Sequence, residues 1–124
     1  MQAALSALVT SSDAYFNQLR EGYDQRRQLL SEGLRKLGLA VNRIEGAYYV
    51  FARIPQWWRG SGSELNAKLI EGGFVAGVPG DVFYGPGGGN EFLRYTFCKQ
   101  RSTLELALER LAIAFDTLRS SRCV

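Results

Sequence analysis

Apolar residues recur with a helical period along the first long segment of the chain. Over residues 12–37, Phe16, Leu19, Tyr23, Leu30, Leu34 and Leu37 are separated by combinations of threes and fours. That spacing lines them up on one stripe of a helix. Ser11, Ser12 and Asp13 supply entry caps and Gly38 a stop. Residues 2–9, rich in alanine and leucine, read as an earlier helix. This piece opens almost directly at Met1 without an entry cap, which fits either a short N-terminal helix or a chain cut from a longer one. The period then changes. "GAYYVFARI" (46–54) is apolar on both faces and ends at Pro55, which predicts a central strand. A helix follows over 63–71, capped by Ser63, with Leu65, Leu69 and Ile70 as its buried face and Gly72-Gly73 as its stop. "FVAGV" (74–78) reads as a short strand and residues 92–98 as an alternating one. The last helix opens at Ser102, with Glu105 three residues on as a capping box. Its stripe is Leu104, Leu108, Leu111, Phe115 and Leu118.

The order helix, strand, helix, strand, strand, helix predicts an α+β fold. It consists of a small, mostly antiparallel sheet of three to four strands with helices packed on one face.

Alternation in the 92–98 strand separates Leu93, Tyr95 and Phe97 from Phe92, Arg94, Thr96 and Cys98. The first set suits the helix-facing core, so Arg94 points away from it. The run before this strand, "PGDVFYGPGGGNE" (79–91), is 13 residues long, more than a plain connector needs in so small a domain. An arginine at the mouth of a glycine-rich loop is suited to a carboxylate, because its planar fork makes two parallel charge-assisted hydrogen bonds. The competing assignment is a surface ion pair with a carboxylate such as Glu91. A phosphate cradle is disfavoured, because such loops open onto a helix N-terminus and this one opens onto a strand. A hinge or flap suits the glycines better. Trp57 and Trp58 in the loop after Pro55 form either a lid over the core or a partner surface.

Composition narrows the function. With 124 residues the chain holds one domain. At 46% hydrophobic and 22% charged residues it reads as globular. No apolar run approaches the roughly 18 residues of a membrane span, and no secretory leader is evident. The net charge of +3 comes from 15 basic and 12 acidic residues with no basic cluster, which gives no footprint for nucleic acid. Histidine is absent, which excludes Ser-His and Cys-His nucleophile pairs and imidazole zinc sites. Two cysteines, Cys98 and Cys123, make no disulfide framework and suggest reduced thiols in a cytoplasmic setting. The lysines number three: Lys36, Lys68 and Lys99.

Four blocks carry a resemblance. "EGAYYVFARI", "EGGFVAGVPGDVFY", "FLRYTFCK" and the final capped helix follow one another as in the C-terminal region of class I/II, fold-type I pyridoxal-phosphate aminotransferases. The segments "QAALSAL" and "YFNQLREGYDQRRQLLSEGLRKLGL" resemble the helices that link such a domain to the cofactor domain. "FY" before the loop and "FCK" after the arginine lean toward the kynurenine, glutamine and methionine aminotransferases. The resemblance implies a single C-terminal domain over residues 1–124, with 1–37 as linking helices from an absent cofactor-binding domain. It implies that Arg94 grips the α-carboxylate of an amino acid or 2-oxo acid substrate, and that Gly46 lies near the substrate. It implies pyridoxal 5'-phosphate in a full-length, homodimeric parent. The family's Schiff-base lysine and phosphate-binding residues precede this region, and none of the three lysines matches. The chain alone is therefore expected to hold no catalytic residue, no cofactor and no activity. Related carbon–sulfur lyases and cyclopropane-forming synthases share the scaffold. The same blocks also suit the aminotransferase-like, effector-sensing domain of a bacterial transcription regulator, or a non-catalytic binding module.

Overall fold

The computed structural model, which describes residues 1–122, is organised around two five-residue strands, β2 (Tyr49–Arg53) and β4 (Phe92–Thr96). They run antiparallel, with Phe51 opposite Arg94 and Val50 opposite Tyr95. Each is flanked by a two-residue edge strand, β1 (Ala40–Val41) beside β2 and β3 (Val78–Pro79) beside β4, giving the order β1-β2-β4-β3. Every pairing is antiparallel. The helices are α1 (Gln2–Val9), α2 (Asp13–Lys36), α3 (Gly62–Glu71) and α4 (Arg101–Arg122). The architecture is α+β, as expected.

One core joins the sheet to the helices. Val50 and Ala52 of β2 and Leu93 and Tyr95 of β4, with Phe97 just beyond, bury the inner sheet face against Leu30, Leu34, Leu65, Leu69, Leu104, Leu111 and Phe115. The expected facing of β4 is correct: Leu93 and Phe97 are fully buried while Arg94 lies on the outer face, half-buried. Trp58 belongs to this core, and its Nε1–H donates to Ser61 O at 3.0 Å. Trp57 packs edge-on against Phe115 at 5.4 Å. The tryptophan pair is thus a lid on the core.

Local chemistry moved several boundaries. Helix α3 is capped by Ser61 rather than Ser63. The Glu64 backbone N–H donates to Ser61 Oγ, and the Ser61 N–H donates to the Glu64 carboxylate at 2.7 Å, closing a capping box. Ser63 instead donates to Asp81 Oδ2 at 2.7 Å. Helix α4 starts at Arg101, whose Nε donates to Glu105 at 2.8 Å, so the Ser102–Glu105 box does not form. Of the strand expected over 74–78, only Val78 pairs with β4. The Phe74 N–H closes the end of α3 on Leu69 O, and the Gly77 N–H is taken by the buried side chain of Asn66 at 2.8 Å. Those donors are spent before a ladder could use them.

The first two helices are docked unevenly. Leu30, Ser31 and Leu34 of α2 are buried, whereas Phe16 and Leu19 on the same stripe are 38% and 44% exposed. No residue of α1 is buried. Among the described residues, no helix is long and apolar enough to cross a membrane. Cys98 is a free, exposed thiol; Cys123 lies outside the described residues.

Candidate functional site

The outer sheet face is a layer of rings with Arg94 packed among them and Arg53 over Phe92 at its margin. Tyr49 is the diagonal neighbour of Arg94 across the β2–β4 ladder, within reach of a long side chain. The Arg94 guanidinium carbon sits 4.0 Å from the Tyr49 ring centre and 4.3 Å from that of Phe83. Phe83 ends a 3₁₀ turn, Gly80–Phe83, that leads into the glycine-rich loop. Its ring meets Phe51 edge-on at 5.7 Å, and Phe51 meets Phe92 at 6.2 Å. Tyr48 and Tyr49 tilt together at 4.3 Å. The Tyr48 hydroxyl titrates above its ordinary value, raised first by hydrogen bonding with Tyr49 and then by that neighbour's charge, while Arg94 pulls the other way.

Among the described residues no carboxylate lies within ion-pair distance of Arg94, and Glu91, the partner considered from the sequence, pairs with Arg53 at 3.5 Å. Its N–H donors make no hydrogen bond to another described residue, so the charge is held by ring faces while its edge stays unspent.

Arg94 also lines a cleft of about 510 Å³ between α4 and residues 75–78. Lys99 and Arg110 line it too, Tyr95 forms part of its wall, and among the described residues no acidic one does. The Tyr95 hydroxyl is buried without a hydrogen-bond partner, and burial alone pushes its pKa above the ordinary tyrosine value. Gly46 lies elsewhere. It is exposed, with open space around its α-carbon, and lines a separate cleft of about 260 Å³ with Tyr23, Arg27 and Phe97. Next to it Ala47 adopts φ 60°, the left-handed region an alanine rarely enters. Beside that cleft the Tyr23 hydroxyl and Cys98 Sγ are 3.3 Å apart, and this contact is the first cause raising the Tyr23 pKa. The structure thus places Arg94 and Gly46 in different clefts.

The ring clamp on Arg94 was missed from the sequence. Tyr49 could have been found, because the register of two alternating strands places it diagonally from Arg94 once they pair. Phe83 could not, because its position depends on how a 13-residue stretch folds back. Among the described residues no group of three or more cysteine, aspartate or glutamate side chains is placed to share a metal ion.

Known proteins match nearly the whole chain. A family model described as aminotransferase class I and II matches residues 1–111. The chain is 31% identical over 121 residues to a probable N-succinyldiaminopimelate aminotransferase, DapC, of Mycobacterium tuberculosis, covering 90% of this chain and 30% of that protein. It is 35% identical over 116 residues to a probable aspartate/prephenate aminotransferase of Thermus aquaticus, covering 92% of this chain and 29% of that one. The solved N-succinyldiaminopimelate aminotransferase of Mycobacterium tuberculosis superposes with a TM-score of 0.81 at 35% identity, over 91% of this chain and 29% of that structure. The chain therefore spans about 30% of the length of the curated relatives it matches. Sequence and superposition agree that this chain belongs to the class I and II aminotransferase family.

Proposed function

We propose that this chain is the C-terminal substrate-recognition domain of a pyridoxal-phosphate aminotransferase that moves an amino group between an amino acid and a 2-oxo acid, and that Arg94 binds the substrate α-carboxylate. The observation that carries this reading is the state of Arg94. It is a permanent cation on the outer sheet face, flanked by two rings, with its donor edge unspent. A carboxylate arriving in the guanidinium plane meets two parallel donors. Gly46, although it lines a separate cleft, belongs to the substrate side of the same reading.

The residues around Arg94 do not fit the cofactor itself. A phosphorylated pyridine needs an acid facing its ring nitrogen, and no aspartate or glutamate lines the cleft that Arg94 shares. Of the three lysines, Lys99 lines that cleft with no acid beside it, Lys68 is paired with Glu71 at 2.7 Å and Lys36 lies in the last turn of α2. We place the cofactor, its lysine and its phosphate seat in a part of the parent outside this chain, with residues 1–37 as the link. When bound, that cofactor supplies the electron sink for the substrate's α-carbon. The contribution of this domain is orientation and charge. A homodimeric, cytoplasmic parent belongs to the same reading.

The test is Arg94→Ala in the complete enzyme. Charge-assisted hydrogen bonds are worth about 1.5–3 kcal/mol each, so kcat/KM for amino acids falls at least roughly a hundredfold. Arg94→Lys recovers little of it, because an ammonium lacks the two-pronged geometry. Amines without a carboxylate react nearly as before. An equal loss for amines and amino acids would mean that Arg94 holds the fold rather than the substrate.

A further inference from the structure

We infer that Phe83 is the positioning residue of Arg94, and that the back-to-back glycines Gly80 and Gly89 exist to seat it. This rests on the carboxylate role proposed above and goes beyond it, because it says what fixes the plane of the guanidinium and why a glycine-rich stretch precedes the arginine strand.

An arginine side chain is long, and holding its fork in one plane costs rotamer freedom. Carboxylate neighbours commonly do this work. Here none is in reach among the described residues, and the guanidinium carbon lies 4.0 Å from the Tyr49 ring centre and 4.3 Å from that of Phe83. All five N–H donors lie in the guanidinium plane. Two ring centres this close to the guanidinium carbon restrict the orientations it can take, and its edge, where a planar oxyanion makes two hydrogen bonds, meets no described residue.

The two rings are held differently. Tyr49 is part of the β2 ladder. Phe83 lies outside the sheet, at the end of the 3₁₀ turn, and depends on that turn for its place. The turn is fixed by a contact that only glycine allows. A Cβ on Gly80 would stand 2.5 Å from Gly89 O and 2.8 Å from Phe92 Cβ; a Cβ on Gly89 would stand 2.6 Å from Gly80 O. Gly89 also has φ 73°. The two ends of the 80–89 stretch meet at this point. Gly89 O accepts from the Phe92 N–H at 3.0 Å, which ties the junction to the start of β4 two residues before Arg94. Asp81, inside the turn, is held by Ser63 of α3 at 2.7 Å. Finally, Phe83 rests edge-on against Phe51, the residue directly opposite Arg94, so its ring has a seat of its own.

The experiment uses the 124-residue chain with labelled arginine, observed by NMR with and without acetate against equal chloride. Three things are read: the ring-current displacement of the Arg94 side-chain protons, acetate affinity at the Arg94 Nε–H, and the β2 and β4 amides. Phe83→Leu keeps an apolar side chain without a ring. It is expected to reduce the displacement and weaken acetate binding roughly three- to tenfold with the strand amides unchanged. Phe83→Tyr restores both. Gly89→Ala, which leaves the ring in the sequence and dislodges its support, reproduces the Phe83→Leu result. Wild-type acetate affinity in Phe83→Leu overturns the positioning role and leaves the carboxylate role standing. So does a loss in Phe83→Leu that is shared by the strand amides and not rescued by Phe83→Tyr. A displaced Arg94 in the unmutated chain that answers acetate no more than chloride overturns both roles at once.

Discussion

Strand β4 has two faces with different work. On the inner face Leu93, Tyr95 and neighbouring Phe97 are closed off by helices α2, α3 and α4. On the outer face Phe92, Arg94 and Thr96 are only half-buried, and what shelters Arg94 is a layer of rings from β2 and the 3₁₀ turn. The inner face is packed by shape, with the Tyr95 hydroxyl its unpaired polar atom. The outer face retains a cation packed on rings, whose donors meet no other described residue. One short ladder thus anchors a core and presents a charge, because alternation lets neighbouring residues answer to different demands.

Substitutions on the two faces should separate in size and in kind. Phe97→Ala opens the inner face and should destabilise the chain by about 3–5 kcal/mol, measured by urea unfolding. Arg94→Ala should cost the same chain no more than about 2 kcal/mol, the worth of its two ring contacts. If the two losses matched, the outer face would be structural and the contrast would fail.

Tyr95 sharpens the comparison, because it is an inner-face residue carrying a polar atom. Its hydroxyl is buried and unpaired, so Tyr95→Phe should stabilise the chain by about 1 kcal/mol at neutral pH. Burial raises its pKa in the folded state above the value of about 10 in the unfolded chain. Above about pH 10 the unfolded chain gives up this proton while the folded one keeps it, so stability falls as pH rises. That alkaline loss should shrink in Tyr95→Phe. An unchanged alkaline profile would place its cause elsewhere.

The smallest effect belongs to α1. Leu5→Ser there should change stability by less than about 0.5 kcal/mol, since no residue of α1 is buried. A larger loss would show that this helix is docked in solution.

The sequence made the sheet and its facing legible for a physical reason. Alternation in 92–98 is a period-two signal that a half-buried strand must show, and it assigned Leu93, Tyr95 and Phe97 correctly. The stripe from Phe16 to Leu37 was equally clear, but periodicity reports an apolar face and not what covers it. The part from Tyr23 to Leu37 met the core, while Phe16 and Leu19 stayed exposed. Ser61 and Glu64 stand three apart, so the true cap of α3 was readable, and Ser63 drew attention only as a nearer serine. The strand expected over 74–78 failed because the Asn66 side chain captured a backbone donor, a tertiary event without a local signature. β1, two residues long, is too short to leave any period. At the candidate site the sequence indicated Arg94 and its outward direction, and left its ring partners unseen.

Both outer strands of the sheet, Ala40–Val41 and Val78–Pro79, are two residues long, and the second contains a proline that has no N–H to offer. A sheet usually recruits a neighbouring molecule along an unpaired backbone row, which can template further strands and seed aggregates. Here that row is nearly absent on either side. Copies of this domain that stick together should do so through side chains, by way of the apolar surfaces of α1 and the first half of α2, rather than by adding strand to strand.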